Sequence, residues 1–276
     1  MAIRLAGGCR VTDMCEGEPE FEGTVRIRNQ IGRATGAQAI SLRIMEIEPG
    51  LSPGIRNAAC DEILYVVGRW EDGQCWERGL PMARKRSERA NDPAEVFIDG
   101  CRYEAAPDTG IYVRPDETYA FINRGPEAIV VVSVQCPDPE SGPHFITPAS
   151  LPRGDSSSTS LTPLVRLADR QAQPTADRWY RVLVDDGVGS TQATQFVGSI
   201  PPGRAPDHFH NYEEVLFILK GEGRMWAGAT NTAIGPGSCI YLPKGQVHCV
   251  ENTGTDELRL LGVFYPAGSP SVRYEA

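Results

Sequence analysis

Three of the four histidines in this 276-residue chain, His208, His210 and His248, lie close together near its C-terminal end, with Glu214 between them; the fourth is His144. Imidazole nitrogens and a carboxylate are donors for a divalent metal. Residues 208–218 (His-Phe-His-Asn-Tyr-Glu-Glu-Val-Leu-Phe-Ile) are rich in aromatic and β-branched side chains, which predicts a strand. Alternation along a strand puts His208, His210, Tyr212 and Glu214 on one face and Glu213 on the other. His248 comes from a second strand, beyond the Pro243–Gly245 turn. Three nitrogens and one oxygen suit iron, manganese, nickel, copper or zinc better than calcium or magnesium, so one divalent transition metal per chain is expected. A half-exposed polar strand accounts for any single histidine. It does not account for four donors clustered in a chain this poor in histidine.

The spacing within these segments resembles the paired motifs of the cupins, a family of small β-barrels. The first motif, a glycine followed by His-x-His, a glutamate and a second glycine, is matched by His208, His210, Glu214 and Gly221, with Gly203 one residue closer to His208 than usual. The second, Gly-x5-Pro-x-Gly-x2-His-x3-Asn, is matched throughout by Gly237, Pro243, Gly245, His248 and Asn252. The resemblance implies that the three histidines and Glu214 are metal ligands. It also implies that strands flanking the metal line a substrate pocket, for which Arg224, Trp226, Gln246, Phe264 and Tyr265 are candidates by position. Aromatic residues at such positions also serve simply to fill a small barrel.

The elements that must carry these residues occur twice. Gly23–Arg28 and Ala39–Ile47, closed by Pro49-Gly50, match Arg178–Val184 and Ala193–Ile200, closed by Pro202-Gly203. Asp61–Gly68 parallels Glu213–Gly221, and Gly110–Pro115 parallels Gly237–Pro243. Two copies of one supersecondary unit imply two similar domains. The expected fold is all-β: two tandem cupin (double-stranded β-helix, or jelly-roll) barrels at 1–137 and 178–276, joined over 138–177 by a turn-rich linker that is extended or mobile, with Leu161–Ala168 apolar enough to pack against a barrel. His144 lies in that linker and is not expected to be a ligand.

The first copy departs from the pattern where metal chemistry would need it. Aligning Glu62 with Glu214 puts Arg56 and Ala58 at the first two histidine positions and Tyr119 or Ala120 at the third. The N-terminal barrel is therefore expected to have lost its metal. Arg56, Glu62 and Tyr119 either line a pocket for an organic anion or belong to a purely structural barrel. An insertion near 69–95 carries Trp70, Trp76 and the basic run Arg84–Arg89. A solvated face explains such a run; a lid or a dimer contact is the functional alternative.

Composition limits the partners. With 41% hydrophobic residues, 29 Gly and 22 Pro, the chain is globular and rich in turns. A formal net charge of −9 argues against nucleic-acid or anionic-membrane partners. No apolar run reaches the ~18 residues of a membrane span, and no signal peptide is evident. The eight dispersed cysteines form no Cys-x-x-Cys pair and read as reduced thiols of a cytoplasmic protein. The resemblance alone suggests a homodimer. Three functions follow for a small-molecule substrate or ligand. The first is a dioxygenase-type oxidoreductase acting on an enol, phenol or diketone. The second is a non-redox isomerase, lyase, decarboxylase or amidohydrolase. The third is a non-catalytic metal- or ligand-binding protein. Where the metal only polarises substrate, a separate acid or base is needed, and Tyr212 is the candidate.

Overall fold

In a computed structural model of the protein, the described residues are 2–69, 93–139, 142–147, 162–272 and the backbone of 274–275. The insertion, with Trp70, Trp76 and Arg84–Arg89, falls almost wholly outside them. Among the described residues no helix is long and apolar enough to cross a membrane.

The chain builds two jelly-roll barrels, each of two facing sheets. In the second barrel a large sheet contains Ser238–Leu242, Glu213–Lys220, Leu258–Tyr265, Thr194–Ile200 and Arg178–Val184 in spatial order. It faces a smaller sheet of Thr230–Ile234, Gly223–Ala227, His248–Asn252 and His208–Phe209. The first barrel repeats the plan, with Thr109–Val113, Asp61–Gly68, Ile129–Cys136, Ser41–Ile47 and Val25–Ile31 in its large sheet.

The two large sheets pack against each other, so their strands are buried on both faces. Within Glu213–Lys220, Val215, Phe217 and Leu219 join the core between the barrels, while Leu216 and Ile218 point into the second barrel. Asp61–Gly68 does the same: Ile63, Tyr65 and Val67 face the partner sheet, and Leu64 and Val66 face the first barrel's interior. This explains why both strands read as continuous apolar runs, although an antiparallel strand with one solvated face would alternate. Each fully buried side chain of this size contributes on the order of 1.5–3 kcal/mol. Buried acids tie the sheets together. Glu213 accepts hydrogen bonds from the backbone N–H groups of Gln38 (2.9 Å) and Ala39 (2.7 Å) and from the Tyr241 hydroxyl. Its counterpart Asp61 accepts from Tyr112 (2.9 Å) and Gln192 (3.2 Å).

The barrels also exchange arms, and the expected boundaries change accordingly. Arg10–Asp13 pairs with Ser238–Leu242, so the start of the chain extends the second barrel's large sheet. Leu164–Arg166 pairs with Thr109–Val113 of the first barrel. The stretch expected to be a linker contributes strands: His144–Ile146 and Leu164–Arg166 to the first barrel, the latter within the apolar segment expected to pack against a barrel, and Gln173–Thr175 to the second. The pairing edges of both large sheets and of the first barrel's small sheet recruited these segments.

Candidate metal centre

His208, His210 and His248 converge inside the second barrel. Their ring centroids are 4.5 Å (208–248), 4.9 Å (208–210) and 5.2 Å (210–248) apart. One ligand atom from each lies within 4.8 Å of the others, and these three could hold a metal ion. Glu214 Oε2 is 3.5 Å from His210 Nε2. The single strand expected over 208–218 is broken. His208–Phe209 belongs to the small sheet, where His208 faces His248, whereas Glu213–Lys220 belongs to the large one. The chain crosses between sheets at 210–212, so the donors approach from both walls rather than from one strand face.

The motif glycines hold this crossing. Gly245, in the left-handed region at φ 76°, donates its N–H to the His210 carbonyl (2.8 Å) and so ties the second motif to the first. At Gly221 (φ 86°), an added Cβ would sit 2.8 Å from the Glu257 carbonyl oxygen, which excludes any other residue without backbone movement. Asn252 closes the next turn, donating to Ile200 O and Asp256 O and accepting from Gly254 N.

The protonation states suit ligation. His248 Nδ1 lies 2.8 Å from Gln246 O and His208 Nδ1 lies 3.0 Å from Pro206 O. A carbonyl only accepts, so each Nδ1 carries the proton and each Nε2 keeps its lone pair for a metal. Burial, aided by the neighbouring His208, lowers the pKa of His248 to about 4. Burial raises that of Glu214 to about 8. The His210–Glu214 contact is too long for a strong hydrogen bond, and the burial of Glu214 dominates it. The donor set thus fits a divalent transition ion, whose charge would replace the Glu214 proton.

A pH dependence follows. Without metal, the raised Glu214 pKa means that the folded chain holds one more proton than the unfolded chain between about pH 4.5 and 8, and this contribution to stability fades as pH rises through that window. His248 acts oppositely and lower down: its stabilisation is present above about pH 6.5 and lost as pH falls toward 4. Metal uptake at pH 7 is expected to release close to one proton per chain, and apparent affinity to rise with pH toward 8. Calorimetric titration in two buffers of different ionisation enthalpy measures this. A buffer-independent heat would exclude Glu214 as the proton source.

Residues 196–264, which contain every one of these donors, match the family model of the Cupin domain. Over 94% of its length the chain superposes on a solved oxalate decarboxylase, covering 77% of that chain at a TM-score of 0.70 and 14% identity. The Bacillus subtilis oxalate decarboxylase solved at pH 4.6 gives 0.68, with 93% and 76% covered, also at 14% identity. At this identity the likeness concerns the fold. The chain has the bicupin fold, two cupin barrels in tandem. Two curated proteins match shorter stretches: the oxalate-binding protein of Thermotoga maritima (35% identical over 66 residues, 23% of this chain) and auxin-binding protein 1 of Arabidopsis thaliana (34% over 71 residues, 22% of this chain). The matched segments span 54% and 35% of those relatives.

Beside the histidines the bicupin encloses a cavity of about 110 Å³. Phe196, Ile200, Leu216, Val250 and Leu260 make most of its wall, and Thr175, Arg178 and Tyr180 also line it. None of the five residues expected in the pocket does so. In Gly223–Ala227 the odd positions Met225 and Ala227 are buried in the barrel, which sends Arg224 and Trp226 to the outer face. There Arg224 bonds Asn231 (2.6 Å), and Trp226 bonds Glu251 (2.7 Å) beneath the Arg204 guanidinium. Gln246 bonds the Val247 carbonyl, Phe264 is buried behind Tyr212, and Tyr265 packs against the core between the barrels. Tyr212 lines the cavity and is stacked between His210 (4.7 Å, 9°) and Phe264 (4.4 Å, 20°), an arrangement that orients the His210 ring. Cys249 turns away from the site toward Arg204 Nε (3.2 Å).

In the first barrel of the bicupin an arginine stands among the retained groups. Tyr119 pairs with Ile55 as His248 pairs with His208, so register puts Ile55 and Asn57, not Arg56 and Ala58, at the first two histidine positions. A one-residue slip reverses the face. Arg56 is exposed and pairs with Asp116 (2.8 Å). Glu62 instead receives Arg43 Nη2 (2.5 Å), the Tyr119 hydroxyl (2.7 Å), the Ser133 hydroxyl (2.6 Å) and Asn57 Nδ2, all of them buried. Burial works to strip the Arg43 proton, yet the Glu62 carboxylate more than offsets it and the net shift is upward. Tyr119 is held protonated by burial and by the Glu62 charge. The sequence carried a signal for Arg43: a cation inside the apolar run Ser41–Ile47, where the second copy has Phe196.

Proposed function

We propose that the second barrel is a metal-dependent active site of the dioxygenase type, acting on a small, mostly apolar molecule that chelates the ion through two oxygens. The observation that carries this reading is the cavity wall. Among its described lining residues, Glu214 is the only carboxylate and there is no lysine. Of the two tyrosines, Tyr180 donates to Gln173 (2.8 Å) and Tyr212 is stacked on a ligand ring. Isomerisation or elimination requires a positioned acid or base that is not itself a ligand, and this wall offers a poor one. A redox-active ion supplies Lewis acidity and one-electron chemistry with dioxygen. The chain supplies the rest. His208, His210, His248 and Glu214 hold the ion, the aliphatic wall excludes water, and Phe196 and Leu260 shape the space for the substrate body.

A second reading is non-oxidative decarboxylation of a small carboxylic acid. Arg178 favours it: it is the one arginine among the described lining residues, with Nε held by Asp177 (2.9 Å), and a carboxylate is the natural partner for a guanidinium. The local likeness to an oxalate-binding protein points the same way. One experiment separates the two. The protein, loaded in turn with iron and with manganese, is incubated with a panel of 1,3-diketones, catechols and short dicarboxylates, in air and without it. Substrate-dependent oxygen uptake with the iron form supports the proposal. Carbon dioxide release that continues without oxygen replaces it with the second reading. Turnover with neither would leave a binding protein.

A further inference from the structure

We infer that the cleft between the two barrels is a second binding site, for a small polyanion carrying at least two oxyanion groups. This cleft of about 540 Å³ is lined from three directions by four cations: Arg4 and Arg10 on the exchanged N-terminal arm, Arg33 on the turn Arg33–Thr35 of the first barrel, and Lys244 on the metal-motif turn of the second. It lies on the far side of the strand that carries Glu214, apart from the cavity beside the histidines.

Three observations make it a site rather than a solvated surface. The first is the sign of its charge. In a chain of net charge −9, four cations meet one carboxylate, and that carboxylate, Glu213, already accepts two backbone N–H groups and the Tyr241 hydroxyl. A concave surface of one sign concentrates the field and draws in opposite charge. The second is the lack of protein counter-ions: Arg4, Arg10 and Lys244 make no ion pair among the described residues, whereas most of the other described arginines do. The third comes from the repeat. The turn related to Arg33–Thr35 is Asp186–Val188, preceded by Asp185, so the fold forms the same turn with opposite charge. The positive cleft is therefore a property of this side chain set and not a requirement of the architecture. Arginine forks donate paired N–H groups to phosphoryl or carboxylate oxygens, and Lys244 adds a point charge.

Pyrophosphate and citrate, titrated separately into the full-length metal-loaded protein at about 0.1 M salt, are the probes; their two arms tell phosphoryl from carboxylate ligands. At least one should saturate at one equivalent with a Kd below about 1 mM and weaken steeply with added salt. The double variant Arg4→Glu, Lys244→Glu should weaken it at least about tenfold without changing metal content. Both residues are exposed, and Arg33→Asp, which copies the charge of the related turn, serves as an independent second variant. Because both probes can chelate metal, His208→Ala is the control and should bind them as the parent does. Unchanged affinity in the charge variants, loss of binding in His208→Ala instead, or no saturation with either probe would overturn the proposal.

Discussion

Replacing His208 or His248 with alanine is expected to lower metal affinity at least about a hundredfold and to leave the protein folded. A transition-metal site of the proposed kind would be worth on the order of 10 kcal/mol or more, so the loss of one imidazole would remove a few kcal/mol, and each 1.4 kcal/mol is a factor of about ten. His208 and His248 face each other across one strand pair, each with Nδ1 engaged by the carbonyl two residues earlier. Both rings are thus aimed before any ion arrives, and a water filling the vacancy would lack that aim. His144, exposed on a strand of the first barrel, is the matched control and should have no effect. Competition against a chelator of known affinity, with metal per chain measured by mass spectrometry, provides the readout. Stoichiometric metal at parental affinity in either variant would show that the ion, if bound, is held elsewhere.

Arg43→Met should destabilise the protein by about 3–5 kcal/mol, because it strands a buried carboxylate in the first barrel. The Tyr119, Ser133 and Asn57 donors remain on Glu62, which favours the low end of that range. At roughly 2–4 °C per kcal/mol for a domain of this size, the melting point of the first barrel should fall by about 6–20 °C. The double variant Arg43→Met, Glu62→Gln should recover much of the loss, since it removes both charges, and replacing a buried pair by neutral groups is often close to neutral. Thermal unfolding followed by calorimetry tests both. An unchanged midpoint in the single variant would mean that the pair is not buried as described. The same geometry argues against a metal at this position, because the Arg43 guanidinium already stands against Glu62, the carboxylate that the first barrel retains there.

Much of this was legible in the sequence, and what was not has identifiable causes. The histidines and Glu214 stand out because polar side chains interrupt strands that are otherwise apolar. The duplication stands out because both copies keep the same strand-closing Pro-Gly pairs. The pocket wall was misread because it depends on strand parity: Arg224 and Trp226 are one residue out of phase with Met225 and Ala227, and nothing local in the sequence says which set faces in. Arg56 failed for a related reason, since the spacing from Glu62 differs by one from the spacing between His208 and Glu214 once the strand pairing is known. Arg43 was missed because it lies outside both motifs. The arm Arg10–Asp13 left no local trace, because its partner lies near the opposite end of the chain.

That exchange governs how the protein can be made. On the ribosome the first repeat emerges long before Leu164–Arg166, so its strand Thr109–Val113 waits with an unpaired edge until the second repeat has begun. Arg10–Asp13 waits longer still, for Ser238–Leu242. Neither repeat is therefore a self-sufficient translation product. A chain stalled or cleaved between them would display an open β-edge of the kind that recruits other chains, and such long-range closures fold slowly. The exchanged strands that join the barrels also make synthesis of the whole chain a condition for finishing either one.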